Sequence, residues 1–347
     1  MFYDIGANVG NVRQLTSTGI SEESTEAVPL LADRPGTDPN GACLLCAGEL
    51  RVTARQLFDT RFGMDGSYTV AECRECGLEQ ISPVPTAVEL KNLYETYYNF
   101  GGQKGTLYEK LREKFLSSFL YRIWIRIDGD ISFHGRSGRG RLLDIGCNEG
   151  RSLKIYARNG FDVEGLELNE NAAAVARRAG FTVYTCDLSQ FQPTKPYDVV
   201  VLSNVLEHAR NPRHMLLNIG HILKPGGQVW ISCPNGRSWL RKVFGSSWIH
   251  WHVPFHISQF SSVTSREVLQ QAGFQVAESR QITPALWVSS SIIAGLFAKK
   301  RQPTSQLRNP VLMLGLVLFS RVILFPALWI GNCLQRGDCL LTIASKS

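Results

Sequence analysis

Apolar and polar positions alternate in blocks from residue 141 onward. Apolar runs of strand length cover residues 142–145, 163–168, 181–185, 199–202 and 229–232. Segments with helical spacing lie between them, at 152–159, 171–179 and 212–223. Because strands that alternate with helices form a parallel sheet covered on both faces, the pattern predicts a doubly wound α/β domain. Residues 274–282 and 339–345 have the pattern of two final strands, which predicts a mostly parallel, seven-stranded sheet.

The same patterning divides the chain into five parts. Residues 1–40, rich in Ser, Thr, Glu, Pro and Gly, are expected to be a flexible leader. Residues 41–82 form a small cysteine-bearing module, and 83–140 a helical connector. The α/β domain is predicted over 141–284 and 335–347, and an apolar helical insertion over 285–334, before the last strand.

Composition narrows the class of protein only slightly. Hydrophobic residues make up 44% of the 347-residue chain and charged residues 19%, as in globular proteins. The net charge of +7 suits an anionic partner, whether nucleic acid, phosphorylated sugar or membrane surface. The N-terminus shows no basic region followed by an apolar stretch, so we expect no signal peptide and a reducing, cytoplasmic setting.

Four of the nine cysteines form two Cys-x-x-Cys pairs, Cys43 with Cys46 and Cys73 with Cys76. Two such pairs offer four thiolates to one tetrahedral zinc ion. Four protein ligands leave no open coordination position, so the predicted zinc ion is structural. A redox role is disfavoured because neither pair is predicted between a strand and a helix.

Glycine and acidic residues follow the first two predicted strands of the α/β domain. Asp144-Ile-Gly-Cys-Asn-Glu-Gly150 runs from a strand through a glycine loop into a helix. Glu167 ends the next strand, where a carboxylate suits the two hydroxyls of a ribose. Ligands of such sheets bind beyond the carboxyl ends of the strands, so these residues predict a nucleotide-type site.

Four segments in this order resemble the class I S-adenosylmethionine-dependent methyltransferases. They are the glycine loop, Cys186-Asp187, residues 197–208 and the Lys-Pro-Gly-Gly turn at 224–227. The resemblance implies that Asp144, Gly146 and Gly150 surround the methionyl part of the cofactor, that Glu167 binds the ribose and that Asp187 binds the adenine. It further places these residues in the cofactor site: Cys147, Asn148, Leu168, Leu188, Ser203 and Asn204. Asn148 replaces the middle glycine, and asparagine tolerates a positive φ better than other side chains.

Histidines supply the candidate general bases. His208 follows the fourth strand, and His256 lies in an aromatic segment, 248–260, that also holds His250 and His252. A histidine suits proton removal from a hydroxyl near neutral pH. The alternative is that both side chains hydrogen-bond loop backbone. Metal binding by these histidines is an alternative, but we expect no carboxylate near them.

The N-terminal module also resembles that of bacterial sugar methyltransferases. The similarity lies in residues 73–83 and in Leu93-Tyr-Glu-Thr-Tyr-Tyr98. It implies O-methylation of a cell-envelope saccharide or a lipid-linked glycan precursor. The alternatives are a nucleotide sugar, a quinone-type small molecule or ribosomal RNA. Nucleic acid is disfavoured because residues 41–82 carry no excess of basic residues. An alternative of another class is a non-catalytic zinc and membrane adaptor with a degenerate cofactor fold.

The insertion at 285–334 is the most apolar part of the chain. A single membrane span is disfavoured for two reasons: Arg321 lies near its centre, and one crossing would separate the two final strands. We therefore expect helices that lie on the membrane or form a re-entrant hairpin, with Lys299, Lys300, Arg301 and Arg308 at the headgroups. This predicts a protein at the inner face of the cytoplasmic membrane. The alternatives are a homodimer interface and a substrate lid.

Overall fold

A computed structural model describes residues 41–98 and 113–347 of the chain. The predicted leader at 1–40 lies outside the described residues.

The strands are β1 (Leu50–Leu57), β2 (Tyr68–Cys73), β3 (Glu79–Ser82), β4 (Arg141–Ile145), β5 (Asp162–Leu166), β6 (Thr182–Tyr184), β7 (Tyr197–Ser203), β8 (Leu223–Pro234), β9 (Ser258–Gln259), β10 (Phe274–Ile282) and β11 (Cys339–Lys346). The α-helices are α1 (Ala87–Tyr97), α2 (Phe119–Asp128), α3 (Arg151–Arg158), α4 (Glu170–Arg178), α5 (Pro212–Ile222), α6 (Trp239–Phe244), α7 (Ser262–Gln271), α8 (Ala285–Phe297), α9 (Pro310–Val322) and α10 (Phe325–Cys333).

The larger sheet has seven strands in the order β10-β11-β8-β7-β4-β5-β6. Strands β4 to β8 are parallel, and β11 pairs antiparallel with both β8 and β10. The predicted mostly parallel, doubly wound sheet is therefore confirmed. From β4 the chain adds β5 and β6 on one side of the sheet, and it then returns to add β7 on the other side of β4. The strand order therefore reverses between β4 and β7, and ligands of such sheets bind at this switch point.

Apolar side chains on both faces of this sheet explain its stability. Leu143 and Val200 face one buried cluster, and Leu142 and Val201 face the other. Strands covered on both faces need continuous apolar runs, which is what the sequence shows at β4 and β7.

The smaller sheet joins the cysteine module to the α/β domain. Its order is β1-β2-β3-β9, so its last strand comes from the α/β part of the chain. Gln80 pairs with Ser258 and Glu79 with Gln259. Arg241 also binds the Glu79 carboxylate, with Nη2 3.1 Å from Oε1. The module predicted at 41–82 is thus completed by residues far along the chain, because a two-residue strand leaves no periodic signal in a sequence.

Helices α8, α9 and α10 form the insertion between β10 and β11, where it was predicted. Arg321 points into the protein, and its Nε lies 2.5 Å from Oδ1 of Asp128 at the end of α2. Its Nη2 also donates to the carbonyl of Thr283, 2.6 Å away. In the described part of the chain no single helix has the length and apolar character to cross a bilayer. Helices α9 and α10 meet both criteria only together, as a pair bent by 64°.

Candidate cofactor and acceptor site

The loop after β4 has the backbone of a ligand-binding turn. Gly146, Asn148 and Gly150 all have left-handed φ angles, of 70°, 50° and 77°. Asn148 adopts this conformation as expected, and its Nδ2 donates to the Gly146 carbonyl, 2.9 Å away. A Cβ atom at Gly150 would lie 2.8 Å from the Ala176 Cβ, so glycine is required for the loop to approach α4. The asparagine therefore maintains the loop conformation.

Glu167 connects the first two loops of the site. Its Oε2 accepts a hydrogen bond from the Asn148 amide at 2.9 Å, and its Oε1 accepts one from the Asn169 amide at 2.8 Å. Each carboxylate oxygen has a second lone pair, so the group can still accept from two hydroxyls. The next residue, Leu168, is 68% exposed, and provides an apolar surface suited to a flat ring beside the carboxylate.

Asp144 ends β4 as a buried carboxyl group. Burial, together with the negative charge of Glu167, raises the pKa of this group to about 8. A cationic ligand beside Asp144 would favour its ionised form and reverse this shift. The position is thus suited to the ammonium or sulfonium group of a bound cofactor.

The remaining predicted cofactor residues lie at the ends of β4, β6 and β7. Asp187 Oδ1 accepts from the Ser189 amide at 2.8 Å, which orients the carboxylate. The Asn204 amide donates to the Ser232 carbonyl at 2.8 Å, and the Ser203 hydroxyl donates to the Ile131 carbonyl at 3.2 Å. Cys147 is buried and Leu188 partly buried. The eleven predicted cofactor residues follow the carboxyl ends of four neighbouring strands, in the order β7, β4, β5 and β6. They therefore lie along the same end of the sheet.

His208 and His256 lie beside each other, with ring centroids 4.7 Å apart. The His208 Nδ1 lies 2.9 Å from the Phe255 carbonyl and 2.7 Å from the Tyr94 hydroxyl. The His256 Nδ1 lies 2.8 Å from the His250 carbonyl. Since a carbonyl only accepts, the His256 ring carries hydrogen on Nδ1 and keeps a lone pair on Nε2. The His208 ring has the same tautomer when its Nδ1 donates to the Phe255 carbonyl and the Tyr94 oxygen accepts. Burial lowers the pKa of His208 to about 4, and that of His256 also lies below its usual value.

The four paired cysteines converge as their spacing predicts. Cys43 and Cys76 Sγ atoms are 3.5 Å apart, Cys46 and Cys73 Sγ atoms are 3.4 Å apart, and all four lie within 4.8 Å of one another. Four sulfurs bound to zinc at about 2.3 Å are about 3.8 Å apart in a tetrahedron. The cluster therefore fits one tetrahedral ion.

Comparison with known proteins agrees with this geometry. Residues 100–279, more than half of the chain, match a family described as "Methyltransferase domain". The chain belongs to this methyltransferase family. Its relatives include ubiquinone biosynthesis O-methyltransferases of Aeromonas salmonicida (33% identical over 27% of the chain and 43% of the relative) and Stutzerimonas stutzeri (30% identical over 31% and 49%). The chain thus spans less than half the length of the curated relatives it matches.

The chain also matches solved structures. A SAM-dependent methyltransferase from Archaeoglobus fulgidus is 19% identical, with a TM-score of 0.41, over 70% of this chain and all of that one.

The methyltransferase site also contains residues that the motifs did not indicate. Tyr94 binds His208, and the Tyr98 hydroxyl lies 3.1 Å from His252 Nε2. The Tyr98 carbonyl accepts a hydrogen bond from Asn169 Nδ2 at 3.2 Å, so the end of α1 contacts both the cofactor loops and the histidines. The sequence feature that could have indicated these contacts is the tyrosine cluster at 94–98. Helical periodicity alone, however, predicts that such tyrosines pack against the protein core. Glu207, which directly precedes His208, belongs to no motif that the sequence indicates, and its Oε1 lies 3.9 Å from the His256 Nε2.

Proposed function

We propose that the protein is an S-adenosylmethionine-dependent O-methyltransferase. The observation that carries the proposal is the alignment of Asp144, Glu167 and Asp187 at the ends of three adjacent strands, within a domain of the methyltransferase family. When bound, the cofactor supplies a sulfonium methyl group that an acceptor oxygen can attack. A new carbon–oxygen bond forms, the sulfur–methyl bond breaks with its electron pair going to sulfur, and the acceptor loses a proton.

The protein's own residues bind and orient the reactants. Glu167 would accept from the ribose hydroxyls, Asp144 would pair with the cationic methionyl end, and Asp187 would accept from the adenine amino group. Ser203 and Asn204 border the methyl group at the end of β7. Much of the rate enhancement of such a displacement comes from holding the acceptor oxygen in line with the methyl carbon.

His208 and His256 are the candidate bases for the acceptor proton. Both have a depressed pKa, so they are neutral at pH 7 and each has an Nε2 lone pair available. A neutral imidazole can accept the proton of a hydroxyl as its oxygen attacks.

The acceptor that we propose is a hydroxyl of a cell-envelope saccharide or of a lipid-linked glycan precursor. The resemblance of residues 73–98 to sugar methyltransferases supports it. A quinone-type phenol is the second candidate, because the curated relatives are named ubiquinone biosynthesis O-methyltransferases.

Labelled-methyl transfer tests both the activity and the acceptor. The purified protein is incubated with methyl-labelled S-adenosylmethionine and fractionated envelope extract, and the lipid fraction is hydrolysed. We expect label in a methylated sugar, and label in a quinone would identify the second candidate. Glu167→Ala should abolish the labelling. No label with the wild-type protein, or label in RNA alone, would overturn the proposal.

We also propose that the insertion binds the membrane surface. An apolar face, defined here as Leu314, Leu318, Val322, Trp329 and Ile330, is exposed on α9 and α10. Its first three residues recur every four positions, which aligns them on one side of α9. Exposed Lys299 and Lys300 precede it and suit anionic headgroups. Because Arg321 is paired inside the protein, its charge does not oppose contact with lipid.

A flotation assay with lipid vesicles tests the membrane contact. Val322, 71% exposed on the apolar face, is replaced by Asp, and Val263, 69% exposed on α7, serves as the matched control. We expect the wild-type and Val263→Asp proteins to float with vesicles that contain anionic lipid. The Val322→Asp protein should remain in the unbound fraction. Equal binding of both variants, or a concentration-dependent dimer without vesicle binding, would contradict the proposal. The face of the membrane that we propose for this contact is the cytoplasmic one.

We propose further that Cys43, Cys46, Cys73 and Cys76 hold a structural zinc ion. The two pairs come from the turn before β1 and the turn between β2 and β3, so the ion would link the ends of a short sheet. A sheet this small buries little apolar surface and gains stability from such a link.

A further inference from the structure

A second cluster of metal-ligand side chains lies outside the cysteine module. Glu207, His208 and His256 each offer one ligand atom, and the three atoms lie within 4.8 Å of one another. The His256 Nε2 is 3.9 Å from the Glu207 Oε1. The carboxylate comes from the turn after β7 rather than from the histidine segment, so the expectation that these histidines lack a carboxylate was wrong.

Glu207 is an unsatisfied buried carboxyl group. Its side chain is 1% exposed, and neither oxygen has a hydrogen-bond partner among the described residues. An ionised carboxylate without compensation is costly to bury, so buried carboxylates are normally paired or bound to metal. The Glu207 carboxylate is therefore suited to binding a cation.

The two imidazoles are oriented as metal ligands. In each ring a backbone carbonyl accepts from Nδ1, at 2.9 Å for His208 and 2.8 Å for His256, which leaves the Nε2 lone pair available. Metal-bound histidines are commonly held this way, with the second nitrogen donating to a carbonyl or carboxylate that fixes the tautomer. Neutral imidazoles are also the form that binds metal.

We propose that Glu207, His208 and His256 bind a divalent transition-metal ion. Two nitrogen ligands and one carboxylate suit ions such as Zn²⁺, Fe²⁺ or Mn²⁺, whereas Mg²⁺ and Ca²⁺ prefer oxygen ligands throughout. With metal–ligand bonds of about 2.0–2.2 Å, ligand atoms lie up to about 4 Å apart, so the cluster must contract by less than about 1 Å.

Three protein ligands leave coordination positions open. Glu207 lies three residues after Asn204, which the proposed function places at the methyl group. If that function holds, the ion can bind the acceptor oxygen and lower the pKa of its hydroxyl. With the ion bound, His208 and His256 act as metal ligands in place of the base role proposed above. The hydroxyl proton then passes to solvent, the oxygen attacks the methyl carbon, and the sulfur–methyl bond breaks with its electron pair going to sulfur. The metal site itself does not depend on this role.

Metal content tests the site without cofactor or acceptor. The full-length protein is loaded with Co²⁺, dialysed and analysed for bound metal and for its optical spectrum. We expect two ions per chain in the wild-type protein, one with thiolate-to-cobalt charge transfer and one without. Glu207→Gln and His256→Ala should each retain only the thiolate-bound ion.

The thiolate bands report whether each variant is folded. His214→Ala, which removes an exposed histidine on α5, is the control and should keep both ions. A wild-type protein with the thiolate-bound ion alone would overturn the proposal, and so would a folded Glu207→Gln protein that keeps two. Because no methyl transfer is measured, failure here is separate from failure of the proposed function.

Discussion

At the scale of single residues, the cofactor loop depends on backbone conformations that few side chains adopt. Asn148 occupies the position where related loops have glycine, and its φ of 50° with the Nδ2 bond to Gly146 explains why it is accepted. An asparagine in place of the middle glycine is the main feature that would indicate a degenerate cofactor fold, and this geometry removes that indication.

A substitution series at Asn148 tests this explanation. Asn148→Gly removes one side-chain hydrogen bond but keeps the φ accessible, so its affinity for S-adenosylmethionine should stay within about threefold of wild type. Asn148→Val places a β-branched residue in the left-handed region, at a cost of roughly 1–2 kcal/mol, which predicts affinity about five- to thirtyfold weaker. Calorimetry measures both, and equal affinities for the two variants would contradict the explanation.

Asp144 should make the stability of the free protein depend on pH. Its folded pKa of about 8 lies above the ordinary value of 3.8, so the folded state holds a proton that the unfolded state has lost. Stability therefore falls as pH rises from about 4 to 8. Thermal unfolding at several pH values should show a shallower decline for Asp144→Asn, and an unchanged slope would contradict the assigned pKa.

At the scale of elements, the insertion is attached to the helical connector by a buried ion pair. Asp128 ends α2, Arg321 lies on α9, and both side chains are 8% exposed. The Asp128 Oδ1 also accepts from the Ala285 amide at the start of α8, 2.8 Å away. One carboxylate thus holds three helices together.

Replacing one partner of this ion pair should lower the free energy of unfolding more than replacing both. Arg321→Leu leaves the Asp128 charge buried and unpaired, which predicts a loss of about 3–5 kcal/mol in the free energy of unfolding. The double variant Asp128→Asn/Arg321→Leu should regain much of that stability. Denaturant unfolding measures each, with Lys299→Ala as an exposed control. A double variant no more stable than Arg321→Leu would show that the pair is not coupled.

At the scale of the whole molecule, the sequence predicted what depends on periodicity and local spacing. The seven-stranded sheet follows from apolar runs such as 142–145 and 199–202, and the cysteine cluster from its Cys-x-x-Cys spacing. Contacts between distant segments were not predictable in this way. The pairing of β3 with β9 and the approach of Glu207 to His256 depend on tertiary packing, which leaves no pattern within either segment.

The most direct test of the central claim is calorimetric titration of the purified protein with S-adenosylmethionine. The matched variants are Glu167→Ala, which removes the buried carboxylate between the two loops, and Glu170→Ala, which removes an exposed carboxylate three residues later. We expect one cofactor per wild-type chain, similar affinity in Glu170→Ala, and at least about tenfold weaker binding in Glu167→Ala, since hydrogen bonds to a charged group contribute about 1.5–3 kcal/mol. A wild-type protein that binds no S-adenosylmethionine, or a Glu167→Ala variant that binds it as tightly as wild type, would contradict the account.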